Sequence, residues 1–129
     1  MGEQPTATDL GEGVWRLAYP TPETMNGAAS EGVLRPLVEA SRAGPLVIIA
    51  VLPPEVRLVP PGLVSFWLTH FTRGGIHLAA AAVVSRSLAV KVALSGFGSA
   101  MSLSQRPVQF GTFPSFEEAL AWAHTKRPR

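Results

Sequence analysis

The residues able to do chemistry in this chain are few and scattered. Its three histidines are His70, His77 and His124. None has a histidine or an acid four residues away, the spacing that sets two metal ligands on one helix face, so no metal site is expected. Glu23 and Glu55 could act as a general acid and base only by meeting across the mouth of a sheet; as loop carboxylates they read as solvated. "GFGSAM" supplies Gly96 and Gly98, but a phosphate cradle needs its glycines between a strand and a helix start, and this pair falls late in a helical stretch. The sequence contains no GxSxG elbow, no P-loop and no Ser/His/Asp arrangement. Cysteine is absent, which excludes disulfides, thiolate catalysis and cysteine-bound metals. The expectation is a protein that is not an enzyme and uses no cofactor.

One short motif points toward a ligand. In Ser85-Arg86-Ser87, a serine with free backbone N–H groups following it stands beside a guanidinium, a modest anion site or phosphosite. The competing reading is that Ser87 simply caps a helix.

The elements that must carry these groups follow from pattern and punctuation. "VWRLAY" (Val14–Tyr19) is short and β-prone, and "PTPET" ends it. A helical pattern runs from about Glu23 to Ala43, with Val33, Leu34, Leu37 and Val38 on one face and Gly44 as the stop. Pro36 interrupts it; a proline inside a helix costs about 3 kcal/mol, so the firm part is predicted to begin near Leu34. Leu46–Leu52 is an unbroken apolar run bracketed by prolines, as in a strand buried on both faces. "VPPGLVSFW" then opens a helix with Leu63, Phe66, Trp67 and Phe71 on one face, closed by Gly74-Gly75. Proline suits the first helical position, because the N–H it lacks had no partner there.

Ile76–Ser85 is read as a third strand, its four alanines allowing a helix to pack close to the sheet. The helix after Ser87 is predicted to use Leu88, Val92, Leu94, Phe97 and Met101. Pro107–Phe113 forms the last strand. Ser115 and Glu118 make a capping box for the final helix, which places Phe116, Ala119, Leu120 and Ala123 on one face. Alternating strands and helices require a mostly parallel sheet with right-handed crossovers. The fold class is therefore α/β, with a sheet of four to five strands and about four helices.

Bulk properties narrow the function classes. A chain of 129 residues suits one domain. Residues 1–12 are read as a flexible leader, 13–125 as the domain and 126–129 as a basic tail. The formal charge is +2, and three cations lie in the terminal "TKRPR" rather than along one face, so nucleic acid is not an expected partner. The leader carries acids and no apolar core, unlike a signal peptide. No apolar run reaches the ~18–20 residues that span a bilayer. A soluble cytoplasmic protein without stable membrane insertion is expected.

The buried "LVIIAV" strand, the apolar second helix, "AAAAVVSRSLAVKVAL" and the ending "PVQFGTFPSFEEALAWA" together resemble the STAS domain, most closely its SpoIIAA-like and SEC14-like bacterial relatives. The resemblance spans roughly residues 14–125, and "F-x-S-F-E-E-A-L-A-W" is its most specific piece. It implies a small α/β domain without cofactor that docks to partners in signalling or regulation. In anti-sigma antagonists of that family an Asp-Ser or Asp-Thr pair at the start of the second helix is phosphorylated. That position falls here on Val59-Pro60-Pro61-Gly62, and no Ser or Thr lies between Leu58 and Val64.

The resemblance therefore implies a non-catalytic protein-interaction module in bacterial signalling, regulation or complex assembly, lacking the phosphoacceptor. The candidate surface is the loop with Pro53, Pro54, Val56, Arg57, Val59, Pro60, Pro61 and Gly62. Its valines are read as exposed, and they suit a protein partner or a second copy in a homodimer. The alternative is a small domain for an apolar or lipid-like ligand, with Phe66, Trp67, Phe71, Phe97 and Met101 lining a cavity.

Overall fold

The computed structural model describes residues 4–73, 75–102 and 108–126. Five strands, β1 (Thr6–Asp9), β2 (Val14–Ala18), β3 (Leu46–Val51), β4 (Leu78–Val84) and β5 (Gln109–Phe113), form one sheet in sequential order. The β1–β2 pair is antiparallel and the other three pairs are parallel. The helices are α1 (Gly27–Ser41), α2 (Pro61–Thr72), α3 (Leu88–Ser102) and α4 (Phe116–Thr125), with a 3-10 turn at Pro22–Thr24. The molecule is thus α/β with a five-stranded, mostly parallel sheet and four helices, as the alternation requires. Among the described residues no helix is long and apolar enough to cross a membrane.

Sequential strand order fixes where the helices lie. Each parallel crossover of the same hand returns on the same side of the sheet. Accordingly α1, α2 and α3 contribute Val33, Leu37, Leu63, Trp67, Phe71 and Met101 to one core, over Leu17, Leu46 and Ile48. The chain leaves β5 without a further strand to reach, and α4 closes the opposite face with Ala119 and Ala123 against Val47, Ile49, Ala80 and Ala82. The continuous apolar run of β3 is explained by burial on both faces: Leu46 and Ile48 point one way, Val47 and Ile49 the other. Leu46 pairs with Leu78 but Val47 with Ala80, so Ala79 is an extra residue in β4.

The structure corrects several expectations. Residues 6–9, expected within a flexible leader, form β1. Its hairpin turn holds Gly11 and Gly13 at φ 93° and 81°, conformations that glycine adopts without a Cβ penalty, with Glu12 between them in the left-handed helical region at 57°. The Gly11 N–H donates to Asp9 Oδ1 at 2.8 Å, which seeds the turn. α1 runs unbroken from Gly27 rather than starting near Leu34. Asn26 Oδ1 caps it by accepting from Ala29 N at 2.8 Å, and Ser30, Val33 and Leu37 bury one face on both sides of Pro36. The carbonyl that Pro36 leaves without a helical donor belongs to the exposed Gly32, where water can serve it.

α3 buries Val90 and Met101, with Leu94 and Phe97 half-buried. Leu88 and Val92, expected on that stripe, are 73% and 64% exposed. β4 starts at Leu78 and β5 at Gln109, each two residues later than predicted. Gly74, Pro107 and the end of the basic tail lie outside the described residues.

The final helix forms as its sequence dictates. Ser115 Oγ accepts from Glu118 N at 3.3 Å and donates to Glu118 Oε2 at 3.1 Å. Ala119 and Ala123 lie against Ala80 and Ala82, all at 1% exposure or less. Four methyl-sized side chains at one contact bring the helix close to the sheet and leave no space for a larger group. Ala82→Leu is therefore expected to lower stability by about 1–3 kcal/mol through overpacking. Ala89→Leu, on the exposed side of α3, should stay within about 0.5 kcal/mol of the parent in the same urea titration.

Candidate functional site

Parallel strands bring their carboxyl ends to one edge of the sheet, where sites in this class of fold are built. The loops there are residues 19–26, 52–60 and 85–87, with the short link at 114–115. α2 opens as its sequence predicts: Pro60 precedes it, Pro61 is its first residue, and Leu63 N and Val64 N donate to the Pro60 carbonyl at 3.0 and 3.2 Å. No side chain caps this end. Val59–Leu63 thus supplies no hydroxyl or carboxylate at this helix start.

Ser85, Arg86 and Ser87 form a structural joint. Ser87 Oγ accepts from Val90 N at 3.3 Å and donates to the Arg57 carbonyl at 2.7 Å. Ser85 Oγ accepts from Ser87 N at 3.1 Å. Ser87 caps α3 and pins the 52–60 loop to it, Ser85 fixes the turn that leads into the helix, and the Arg86 side chain is exposed.

The candidate docking loop divides in two. Pro53 is buried, and Val56 and Val59 are half-buried against the main core rather than exposed as expected. Pro54, Arg57, Pro60, Pro61 and Gly62 are exposed. The apolar group that the loop does present is Leu58, at 63% exposure. Solvent exposure of a loop valine depends on which way the loop folds back, and the sequence does not encode that.

A cavity of about 110 Å³ lies between the sheet and the α2/α3 pair. Ile48 and Ala81 floor it; Leu63, Trp67 and Phe71 of α2, Val90 and Phe97 of α3, and Val59 of the loop wall it. Trp67 stacks on Phe71 at 5.4 Å, Phe71 meets Phe97 edge-on at 5.9 Å, and Phe97 meets Phe110 at 5.3 Å. These rings pack on one another along one side of the space. Of the five side chains expected to line a cavity, Trp67, Phe71 and Phe97 do. Met101 is buried in the core, and Phe66 packs over Gly27 and against His70, 4.6 Å between rings.

The lining includes two polar side chains, Tyr19 and Trp67, and they satisfy each other. Trp67 Nε1–H donates to Tyr19 Oη at 2.8 Å. Ser30 Oγ donates to the Asn26 carbonyl at 2.6 Å, so the 2.7 Å contact between Tyr19 Oη and Ser30 Oγ is a donation from the phenol. The relay runs from indole to phenol to hydroxyl to carbonyl with every proton assigned. Burial pushes the Tyr19 phenol above its ordinary value, against the smaller pull of its bonds to Ser30 and Trp67. The sequence signal for this relay was a polar residue, Ser30, at a core position of an otherwise apolar helix stripe.

Such a site can exclude water and hold a nonpolar group, and it has no base or nucleophile facing the space. Elsewhere His77 and His124 are exposed and His70 half-buried, and Glu23 and Glu55 are both exposed. Among the described residues no three His, Asp or Glu side chains gather as a metal cage would need. No protein-family model, curated protein or solved structure matches the chain.

Tyr19 is the sole tyrosine, so its phenolate absorbance is a clean reporter. Its folded pKa lies above the unfolded value of 10.0, so the unfolded chain loses its proton first and stability from this group falls as pH rises past 10. Titration of the native protein should give a midpoint above 10 that returns to 10 in denaturant. Tyr19→Phe should cost about 1–3 kcal/mol by stranding the Trp67 N–H, and pairing it with Trp67→Phe should cost less than the two changes summed.

Proposed function

We propose that this domain is a non-catalytic binding module whose ligand is a small apolar or lipid-like molecule held beneath α2 and α3. The observation that carries this reading is the cavity itself, apolar on all sides, with the hydrogen-bonding capacity of its two polar residues already spent inside the protein. A well-packed interior has few voids larger than a water molecule. A dry apolar space of this kind has no use for water and readily takes hydrocarbon. The STAS-like resemblance agrees with a binding role and with a bacterial, cytoplasmic setting, and both remain part of the proposal.

A second reading is favoured by a separate observation. Leu58, Leu88 and Val92 are large, apolar and exposed, and the Arg57–Ser87 hydrogen bond brings their two segments together. A protein partner, or a second copy of the chain, could cover them. In that case the 52–62 loop is a docking surface through Leu58 and not through Val56 and Val59.

The test of the first reading is direct. Ala93, half-buried on α3 and part of the cavity wall, would fill the space as phenylalanine. The parent protein should shift the NMR resonance of dissolved xenon, a probe of the size such a space admits, and Ala93→Phe should lose that shift while keeping its circular dichroism. Absence of any shift in the parent, before and after lipid extraction, would rule the cavity out as a ligand site.

A further inference from the structure

β5 is the last strand of the sheet, and among the described residues nothing pairs with its outer edge. Independently of the cavity, we propose that this edge pairs antiparallel with β5 of a second copy of the chain. A two-fold axis at Gly111 then joins the two sheets into one.

The backbone supplies the pairing groups. The Phe113 carbonyl accepts from Ser85 N at 2.9 Å, so it points toward β4. In a strand the N–H and C=O of one residue point the same way, and the direction alternates from residue to residue. Gln109, Gly111 and Phe113 therefore bond to β4, in a register that runs unbroken from Ala80–Gln109 to Val84–Phe113. Phe110 and Thr112 turn their backbone groups outward, and no described residue bonds them. With the axis at Gly111, Phe110 of each copy stands opposite Thr112 of the other, and each such pair exchanges two hydrogen bonds. An aromatic opposite a β-branched residue is also a favourable cross-strand pair. The two Gly111 residues meet at the close position between those pairs, about 4.5 Å apart at Cα, where neither has a side chain to obstruct the other.

Charge and symmetry select a second copy as the occupant. An antiparallel two-fold sets each strand against its own equivalent, so a charged strand opposes like charges to each other. No charged residue lies between Arg106 and Glu117. Edge strands are ordinarily guarded by a charge, a proline or a bulge, and residues 108–113 have none of these. The opposite edge is guarded, since β1 follows Pro5 and ends on the exposed Asp9. Pairing through β5 leaves a guarded β1 at each end of the joined sheet, so assembly closes at two copies. Half-buried rings flank the edge on both faces. Phe97 and Phe110 stand 5.3 Å apart on the α3 side, and Phe113 and Trp122 5.4 Å apart on the α4 side. A neighbouring copy covers both pairs.

Sedimentation equilibrium of the full chain should show a monomer and a dimer exchanging over the micromolar range. Amide exchange at Phe110 and Thr112 should slow as the dimer fills, while that at Thr8 in β1 should not change. Thr112→Pro removes an outward N–H and leaves the bonds to β4 in place, so it should weaken the dimer roughly tenfold or more with circular dichroism unchanged. Thr8→Lys, on the other edge, should leave the dimer as it is. Should Thr112→Pro fail to fold, the exchange measurement on the parent decides. A dimer that forms without slowing Phe110 and Thr112 overturns the proposal. So does one that survives Thr112→Pro and is lost in Leu58→Asp, which would put the contact at the 52–62 loop. A chain that stays monomeric up to millimolar concentration overturns it as well and leaves the edge to a strand from another protein.

Discussion

A buried indole N–H needs an acceptor, and in this protein that need organises three elements. The Trp67–Tyr19–Ser30–Asn26 relay links α2, the end of β2 and the first turn of α1. Each member is a poor core residue alone, since an unmet buried donor or acceptor costs more than a made bond returns. Taken together they are complete, and no buried side-chain nitrogen or oxygen is left unpaired among the described residues. The relay therefore ties α2 to the end of β2 and to the first turn of α1. It also holds the Trp67 indole in place at the cavity wall.

The two faces of the sheet solve the packing problem in opposite ways. α4 rests on alanines with alanines of its own, and the contact is close and closed. The opposite face pairs aromatic-rich helices with a floor of alanine and isoleucine, and stacked rings cannot follow that floor everywhere. The void is a consequence of large rigid groups on two adjacent helices meeting small residues beneath. Gly27 belongs to the same arrangement: a Cβ there would stand 2.9 Å from the Phe66 ring, so only glycine lets α1 and α2 approach as they do.

The joint at Ser87 has an importance its size does not suggest. A single hydroxyl both caps α3 and holds the Arg57 carbonyl. Without it, the rim of the cavity would consist of two independent segments. With it, the loop carrying Val59 and the first turn of α3 carrying Val90, both part of the cavity wall, are tied together.

Element order, the parallel sheet, the proline start of α2 and the capped α4 were all legible in the sequence, because each rests on local chemistry: alternation of patterns, a fixed φ, a hydroxyl three residues before an acid. Tertiary structure alone decided the rest. α1 carries Pro36 without breaking because burial of Val33 and Leu37 outweighs one lost hydrogen bond at a solvated carbonyl. β1, with only Thr6 and Thr8 favouring a strand among its four residues, forms where β2 offers it an antiparallel partner. Whether Val59 or Leu58 meets water, and whether five aromatic and sulfur side chains enclose a space or fill one, depend on how distant segments press together. Local pattern identifies which residues avoid water; only the assembled layers determine whether they touch each other.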